Sequence, residues 1–306
     1  MTTKTTQMDG FRFRKLSAAL GAEIMDLDLS QSISPTTVSA LRQCWLDHQV
    51  LLVRNQQLKP TDQIRFSEYF GVVDDYPLVH FQHPDESKLM VLTNAPSNDK
   101  TSTSKNAGAR WHTDLSFTPN PATASLLYCR QLPDLGSDTL FANQYLAYQS
   151  LSPLLQDWLK TLEAVHELFS GRTDALDERM LEMKKAHAKV AQPMIRLHPE
   201  TNKLALYINP SITHQIVGLS KEESEGLLKY LGTHCVRHEY IYRHSWQKDD
   251  LLMWDNRCLL HLAVQDYEQT RLMHRTTITG QSCGRILDNS YKVNAPSAQK
   301  TWIENS

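Results

Sequence analysis

Trp111-His112-Thr113-Asp114 is the most informative stretch of this sequence, and His261 completes it from far downstream. In an extended strand, side chains two residues apart point to the same side, so His112 and Asp114 can approach one metal ion together while Thr113 faces away. A third ligand from His261 would close a triangle of two imidazoles and one carboxylate. That donor set suits ferrous iron and leaves coordination positions open, whereas a structural zinc site is more often a closed cage with sulfur ligands.

The length and composition are those of an ordinary globular protein. The 306 residues are 41% hydrophobic and 22% charged, and the net charge is -2 without a long basic run, so no nucleic-acid partner is expected. No stretch is apolar enough to span a bilayer, so no membrane partner is expected either. The five cysteines are spread out without a C-x-x-C pair. This argues against a disulfide framework and predicts a cytoplasmic protein.

Short apolar stretches in both halves of the chain predict a mixed α+β fold. Helices are expected at residues 35–48, 61–70 and 221–235, the first capped by Ser34. The predicted strands are residues 11–16, 22–27, 50–53, 88–93, 194–197, 204–208, 239–242, 251–254, 259–264 and 272–279. Short strands with helices between them suggest an antiparallel barrel or sandwich, and no linker divides residues 1–306, so we expect a single domain.

Two segments depart from this pattern. Residues 94–110 contain almost no apolar side chains and lead directly into His112, which favours an active-site lid over a merely irregular excursion. Residues 144–191 are expected to form a largely helical insertion. Its apolar side chains recur at helical spacing and are predicted to be core, namely Leu151, Leu154, Leu155, Trp158 and Leu162.

Two features near the C-terminus support a site around His112. A turn at residues 254–257, Trp-Asp-Asn-Arg, precedes a short apolar strand that contains His261. A histidine in such a buried strand needs a polar partner, such as a metal ion or a backbone group. On the next strand, Arg271 and Arg275 share one face. Two guanidinium groups on one face favour an anion between them, although an exposed strand with salt bridges is the alternative. Thr139, after the turn at residue 136, could add a hydroxyl to such a site.

Taken in order, four motifs resemble a known family. They are Trp-His-Thr-Asp at residue 111, Gly-x-Asp-Thr at residue 136, Trp-Asp-Asn-Arg at residue 254 with a following histidine, and Arg-x-Met-His-Arg at residue 271. The set is similar to that of the taurine/2,4-D dioxygenase (TauD/TfdA) family of Fe(II)- and 2-oxoglutarate-dependent oxygenases. The resemblance runs from about Gly21 to Gly280, and the ordered set is far more specific than any one motif.

The resemblance implies one catalytic domain with a double-stranded β-helix (jelly-roll) core. Iron would be held by His112, Asp114 and His261, with O2 as the oxidant. Arg271 and Thr139 would hold the distal carboxylate of the cosubstrate 2-oxoglutarate, whose 2-oxo acid end chelates the iron. The reaction would be hydroxylation, with fragmentation or desaturation as related outcomes. Family members are often dimers or tetramers, so the resemblance also allows a homo-oligomer.

The departures from the family pattern concern the substrate. In taurine-oxidising members, a histidine and a tyrosine follow the second helix, and the corresponding positions here are Tyr76 and Val79. An asparagine four residues before the iron motif is replaced by Gly108. Only Arg275 remains of the usual sulfonate contacts, so these four positions predict a substrate site for a compound other than taurine. A small anionic substrate is expected, such as a carboxylate, an amino-acid derivative, a sulfonate or a sulfate ester.

Two other classes of protein remain open on the residues alone. A zinc-dependent hydrolase also uses histidine and aspartate ligands, but here no general base is tied to the motif and the arginine pair would have no use. A non-catalytic jelly-roll sensor could bind a small acid through Arg271 and Arg275. Such a sensor would have no need of three metal ligands.

Overall fold

The computed structural model describes residues 4–74, 82–95, 108–170, 176 and 178–287. These residues include six α-helices: α1 Pro35–His48, α2 Pro60–Glu68, α3 Gln144–Gln149, α4 Pro153–Leu159, α5 Glu178–Ala186 and α6 Lys221–His234. The strands are β1 Thr6–Met8, β2 Phe11–Lys15, β3 Ala22–Met25, β4 Val50–Val53, β5 Gln82–His83, β6 Glu86–Thr93, β7 Ala124–Gln131, β8 Thr139–Asn143, β9 Glu163–His166, β10 Val190–Pro193, β11 Ile195–Leu197, β12 Leu204–Leu206, β13 Thr213–Ile216, β14 Ile241–His244, β15 Leu251–Asp255, β16 Leu259–Ala263, β17 Leu272–Ile278 and β18 Arg285–Ile286. The expected mixture of helices and strands is confirmed.

Two sheets carry the architecture. The larger has nine strands in the order β1-β2-β3-β4-β15-β7-β17-β6-β5, and the smaller has the order β14-β8-β16. Neighbouring strands run antiparallel except for β3 and β4. Two further described sheets, β13-β9-β10-β18 and β11-β12, complete the strand pairing.

The sheets and helices pack in layers. Helices α1 and α2 cover the outer face of the nine-stranded sheet with Leu41, Trp45 and Phe66. Its inner face packs against the three-stranded sheet, and this shared core includes Leu127 of β7 and Phe141 of β8. Helices α3 and α6 cover the far side of the smaller sheet. The inner faces of the two sheets therefore enclose the deepest part of the molecule.

The residues at the two ends of helix α1 explain where it begins and ends. The Ser34 side chain accepts a hydrogen bond from the Thr37 amide, and Pro35 occupies the first turn, as predicted. The helix ends where Gln49 adopts a left-handed conformation with φ of 62°. Helices α2 and α6 also lie within one or two residues of their predicted bounds.

The segment 144–191 differs from its prediction. It contains α3, α4 and α5, but also β9 and β10, which the apolar spacing did not reveal. The core assignment is wrong for Leu154 and Trp158, whose exposed fractions are 85% and 45%. These two residues lie four apart and therefore share one side of α4, while Leu159 faces inward. Leu151 is buried as expected, and Leu155 and Leu162 are partly buried.

The remaining predicted elements agree with the structure to within a few residues. The strand expected at residues 239–242 begins later, because His238–Tyr240 form a 3-10 turn before β14. Among the described residues, no helix has the length and apolar character needed to cross a membrane.

The different burial of Leu41 and Leu154 predicts different effects of a leucine-to-alanine substitution on the free energy of unfolding. Leu41→Ala removes a fully buried side chain between α1 and the larger sheet, and should lower the free energy of unfolding by about 2–5 kcal/mol. Leu154→Ala, at an exposed position, should change it by no more than about 0.5 kcal/mol. Urea denaturation of both variants measures the difference. Equal destabilisation would contradict the packing of α1 described above.

Candidate active site

The two histidines of the predicted triangle are paired by their backbones. His112 donates from its amide to the His261 carbonyl at 3.0 Å, and the His261 amide donates back to the His112 carbonyl at 2.8 Å. His112 thus forms a single antiparallel β-bridge with His261 of β16 and is not part of a continuous strand. The extended geometry expected for residues 112–114 stops at a turn, in which Leu115 has φ of 56°.

Asp114 completes a group of three donor atoms. Its Oδ1 lies 3.8 Å from His112 Nε2, and its Oδ2 lies 3.7 Å from His261 Nε2. All three candidate ligand atoms lie within 4.8 Å of one another. Two donors that each bind one ion at about 2.1 Å can be at most about 4.2 Å apart, so both measured separations allow a shared ion. The donor set, two nitrogens and one oxygen, suits ferrous iron.

Thr113 anchors the turn from the opposite side, as the alternation predicted. Its hydroxyl donates to the Asn256 carbonyl at 2.7 Å, and its own carbonyl accepts from Asn209 Nδ2 at 3.1 Å. The residue is buried. Its side chain therefore fixes the direction in which the flanking His112 and Asp114 point.

The Asp114 carboxylate is held by residues from two strands. Oδ2 accepts a hydrogen bond from the Ser125 hydroxyl of β7 at 2.7 Å and an ion pair from Arg275 Nη2 of β17 at 2.7 Å. Asn256 Nδ2 in turn donates to Ser125 Oγ at 3.0 Å. Burial would raise the pKa of Asp114, but the positive charge of Arg275, together with His261 and His112, holds that pKa well below its usual range. The carboxylate is therefore ionised and ready to bind a cation.

The histidines present the forms that bind metals. Burial, reinforced by His112, lowers the pKa of His261 well below its ordinary value, so this imidazole is neutral at pH 7. His112 Nδ1 lies 2.8 Å from the Arg110 carbonyl, which assigns the proton to Nδ1 and leaves Nε2 free as a ligand. The His261 ring also packs against Phe141 and Trp254.

A cavity of about 230 Å³ opens beside the three ligands. It is lined by the predicted cosubstrate residues Thr139 and Arg271, and also by Arg275 and Gly108. The structure thus places both arginines at one cavity. Tyr76 and Val79, predicted to contact the substrate, lie outside the described residues, as does most of the predicted lid.

Arg271 and Thr139 are arranged for an anion. Arg271 is buried, burial lowers its pKa, and its Nε has no hydrogen-bond partner among the described residues. Thr139 Oγ1 accepts a hydrogen bond from Trp246 Nε1 at 3.0 Å, so its own proton is free to be donated to a ligand. The Arg271 guanidinium carbon lies 5.9 Å from the centre of a Trp246 ring. Sequence analysis missed Trp246, because nothing in its local sequence connects it with Thr139.

Arg275 and Gly108 shape the other side of the cavity. Arg275 uses Nη2 for Asp114 and Ser125, while its buried Nε has no partner in the described part of the chain. Gly108 has φ of 77°, and a Cβ there would lie 3.4 Å from His112 Cε1. A Cβ at this position would only reach van der Waals contact with the His112 ring, so the positive φ, rather than lack of space, is what favours glycine here.

A second group of donors, His198, Asp255 and Cys258, is fully occupied within the protein. Asp255 accepts hydrogen bonds from His198 Nε2 at 3.0 Å and from Arg257 Nη2 at 2.7 Å. His198 Nδ1 already accepts from the backbone amides of Glu200 and Thr201. No ligand atom of the carboxylate or imidazole is left over, so this cluster ties β15 to the loop after β11 rather than binding a metal.

Comparison with known proteins identifies the family. Residues 12–277 match the family model described as "Taurine catabolism dioxygenase TauD, TfdA family". The chain belongs to this family. The expected reaction class, a 2-oxoglutarate-dependent dioxygenase, is confirmed by this membership, and neither the zinc hydrolase nor the non-catalytic sensor is favoured.

Relatives from three bacteria cover most of the chain. An alkylsulfatase of Acinetobacter baylyi is 32% identical over 88% of this chain and 85% of its own length. An alpha-ketoglutarate-dependent 2,4-dichlorophenoxyacetate dioxygenase of Cupriavidus pinatubonensis is 30% identical over 86% of this chain and 95% of its own. The crystal structure of a taurine dioxygenase from Burkholderia xenovorans superposes with a TM-score of 0.78 at 29% identity, covering 92% of this chain and 96% of that one.

Ser125 provides a test of how the carboxylate is held. Ser125→Ala removes a hydrogen bond to Asp114 without changing any of the three candidate ligand residues, and should weaken Fe(II) binding about 10–100-fold, as losses around metal ligands commonly do. Equilibrium dialysis under anaerobic conditions measures the affinity. Ser150→Ala, which removes a hydrogen bond to Tyr240 on the far side of the smaller sheet, is the matched control and should bind like the wild type. Equal affinities in all three proteins would show that Ser125 does not position Asp114.

Proposed function

We propose that this protein is an Fe(II)- and 2-oxoglutarate-dependent dioxygenase that oxidises a small organic acid. The supporting observation is that one cavity brings together three candidate iron ligands and two arginines, of which Arg271 is buried and Arg275 partly buried. Iron would be held by His112, Asp114 and His261. With 2-oxoglutarate bound, ferrous iron supplies oxygen activation coupled to decarboxylation, which yields succinate and carbon dioxide.

We infer that the two main sheets form a double-stranded β-helix. Leu127 of β7 and Phe141 of β8 pack in one core between them, and neighbouring strands run antiparallel in both sheets except for β3 and β4. His261 comes from the smaller sheet, whereas Ser125 and Arg275 come from the larger. The site would therefore lie inside the mouth of the β-helix, where both sheets contribute side chains.

Arg271 and Thr139 would bind the distal carboxylate of 2-oxoglutarate. A buried guanidinium is costly without an anion, and no ion pair to Arg271 forms among the described residues. Its planar fork can donate two parallel hydrogen bonds to a carboxylate, and the Thr139 hydroxyl can add a third. The 2-oxo acid end would then extend toward the metal ligands, which line the same cavity.

The cavity walls would exclude water during the reaction. Leu127, Met90 and Trp254 line its apolar side. Asn94 and Gly108, at the two ends of the predicted lid, also line the cavity. We therefore propose that residues 94–110 close over the bound substrate, which would protect the oxidising species from solvent.

The substrate would be an organic compound with one anionic group near Arg275. Arg275 lines the cavity and its Nε has no partner among the described residues, so this guanidinium group could donate to a sulfate ester, a sulfonate or a carboxylate. Relatives named as an alkylsulfatase and a 2,4-dichlorophenoxyacetate dioxygenase support such a substrate. Gly108, Tyr76 and Val79 replace residues expected for taurine, so an ester or aryl acid is preferred. Hydroxylation beside a heteroatom would let the product fragment.

The reaction class is tested by succinate formation with a panel of acids. Purified protein with Fe(II), 2-oxoglutarate and oxygen should form succinate when an alkyl sulfate, an alkanesulfonate or a phenoxyacetate is the substrate. His112→Ala should abolish this activity because a metal ligand is lost, whereas His238→Ala, at an exposed position, should keep it. Turnover by His112→Ala at the wild-type rate would overturn the proposal.

The cosubstrate role of Arg271 makes a separate prediction. Arg271→Ala should raise the KM for 2-oxoglutarate by about a hundredfold, since a charge-assisted hydrogen bond pair contributes about 3 kcal/mol. Arg271→Lys keeps the charge but loses the planar fork, and should fall between the wild type and Arg271→Ala. Steady-state kinetics at saturating substrate measures both values. An unchanged KM in Arg271→Ala would assign the distal carboxylate to another residue.

A further inference from the structure

A second cavity of about 380 Å³ lies apart from the metal ligands. Three arginines line it, Arg42 of α1, Arg196 of β11 and Arg257 before β16. Among the described residues, it shares no lining residue with the cavity beside the metal ligands. This second cavity is therefore separate from the candidate active site.

The charges around this cavity do not balance. Arg257 pairs with Asp255 at 2.7 Å and with Glu200 at 2.6 Å, and Arg42 also pairs with Glu200 at 2.7 Å. Two carboxylates thus serve two of the guanidinium groups. Arg196 forms no ion pair within the described residues, so one positive charge is in excess.

Arg196 is also deeply buried. Its exposed fraction is 5%, and its Nη1 has no hydrogen-bond partner in the part of the chain that the structure describes. Its guanidinium carbon lies 4.8 Å from the centre of the Tyr207 ring. Contact with an aromatic face offsets only a small part of the cost of burying a charge, so Arg196 needs an anion.

The cavity can admit such an ion from solution. Pro199, Glu200 and Gln281 line it and are exposed residues, so it reaches the protein surface. Its volume is several times the roughly 30 Å³ that one water molecule occupies in the liquid. A small anion can therefore enter and exchange without unfolding the chain.

We propose that this cavity is a second anion-binding site, with Arg196 as its main ligand. Its guanidinium fork suits a small oxyanion such as sulfate or a carboxylate, which could accept two parallel hydrogen bonds. Arg42 borders the same cavity, and although its Nε pairs with Glu200, its remaining N–H groups could donate to the anion. The bound anion would neutralise Arg196 and stabilise the folded protein.

The test measures sulfate binding by protein that already holds Fe(II) and 2-oxoglutarate, and the Arg196 variants distinguish the second cavity from the substrate position near Arg275. Protein saturated with Fe(II) and 2-oxoglutarate without oxygen is titrated with inorganic sulfate, or with acetate in a second arm, at constant ionic strength balanced by chloride. Its Tm should rise and saturate with at least one of the two anions, and calorimetry gives the dissociation constant. Sulfate alone, acetate alone or both would identify a tetrahedral, a planar or a general oxyanion site.

Three variants test whether the anion binds at Arg196. Arg196→Met keeps the length of the side chain but removes the fork, and should weaken anion binding on the order of tenfold or more, because at least one charge-assisted hydrogen bond is lost. Arg42→Met, at a more tolerant position, should weaken it to a smaller extent. Arg12→Met removes an exposed arginine paired with Asp26 elsewhere and should bind like the wild type.

The visible charge-transfer band of the Fe(II)–2-oxoglutarate complex should be the same in wild type and Arg196→Met, which separates this site from the active site. Wild-type protein that shows no saturable response to either anion would overturn the proposal. Undiminished binding in both Arg196→Met and Arg42→Met would overturn it as well. If Arg196→Met does not fold, Arg42→Met alone tests the proposal: weaker anion binding than in the wild type supports it, and unchanged anion binding overturns it.

Discussion

The site depends on keeping one carboxylate charged in the interior. Asp114 is buried, yet Arg275 and Ser125 both contact its Oδ2, and two imidazoles lie beside it. Without these partners, the cost of burial would favour the protonated acid and remove the negative charge of a candidate metal ligand. The larger sheet therefore does more than support the site: strands β7 and β17 supply the hydrogen bond and the positive charge that keep the ligand ionised.

Sequence patterns located the elements that have clear local signals. The first residues of α1 and α6 follow from the N-cap residues Ser34 and Ser220, whose side chains accept hydrogen bonds from backbone amides of the first turn. Strand β7 was missed although it lies near the middle of the larger sheet and has prolines on both sides, because a continuous apolar run does not distinguish a buried strand from a buried helical segment. On α4, helical spacing alone could not show that Leu154 would face outward, since that depends on where the neighbouring elements pack.

The candidate site was predictable where it is local in sequence. His112 and Asp114 belong to one short motif, and Arg275 lies on β17 with Arg271 directly before that strand. Ser125 and Trp246 were missed because a lone serine or tryptophan carries no pattern, and each meets its partner only through strand pairing and tertiary packing. The unpaired charge of Arg196 is likewise visible only once its neighbours are known.

The backbone bridge between His112 and His261 sets the order in which the enzyme can be assembled. The two imidazoles come from distant parts of the chain, and the second emerges late from the ribosome. A nascent chain that stops before β16 holds only two of the three donors. An ion that needs all three donors could therefore be held in full only after β16 has paired with His112.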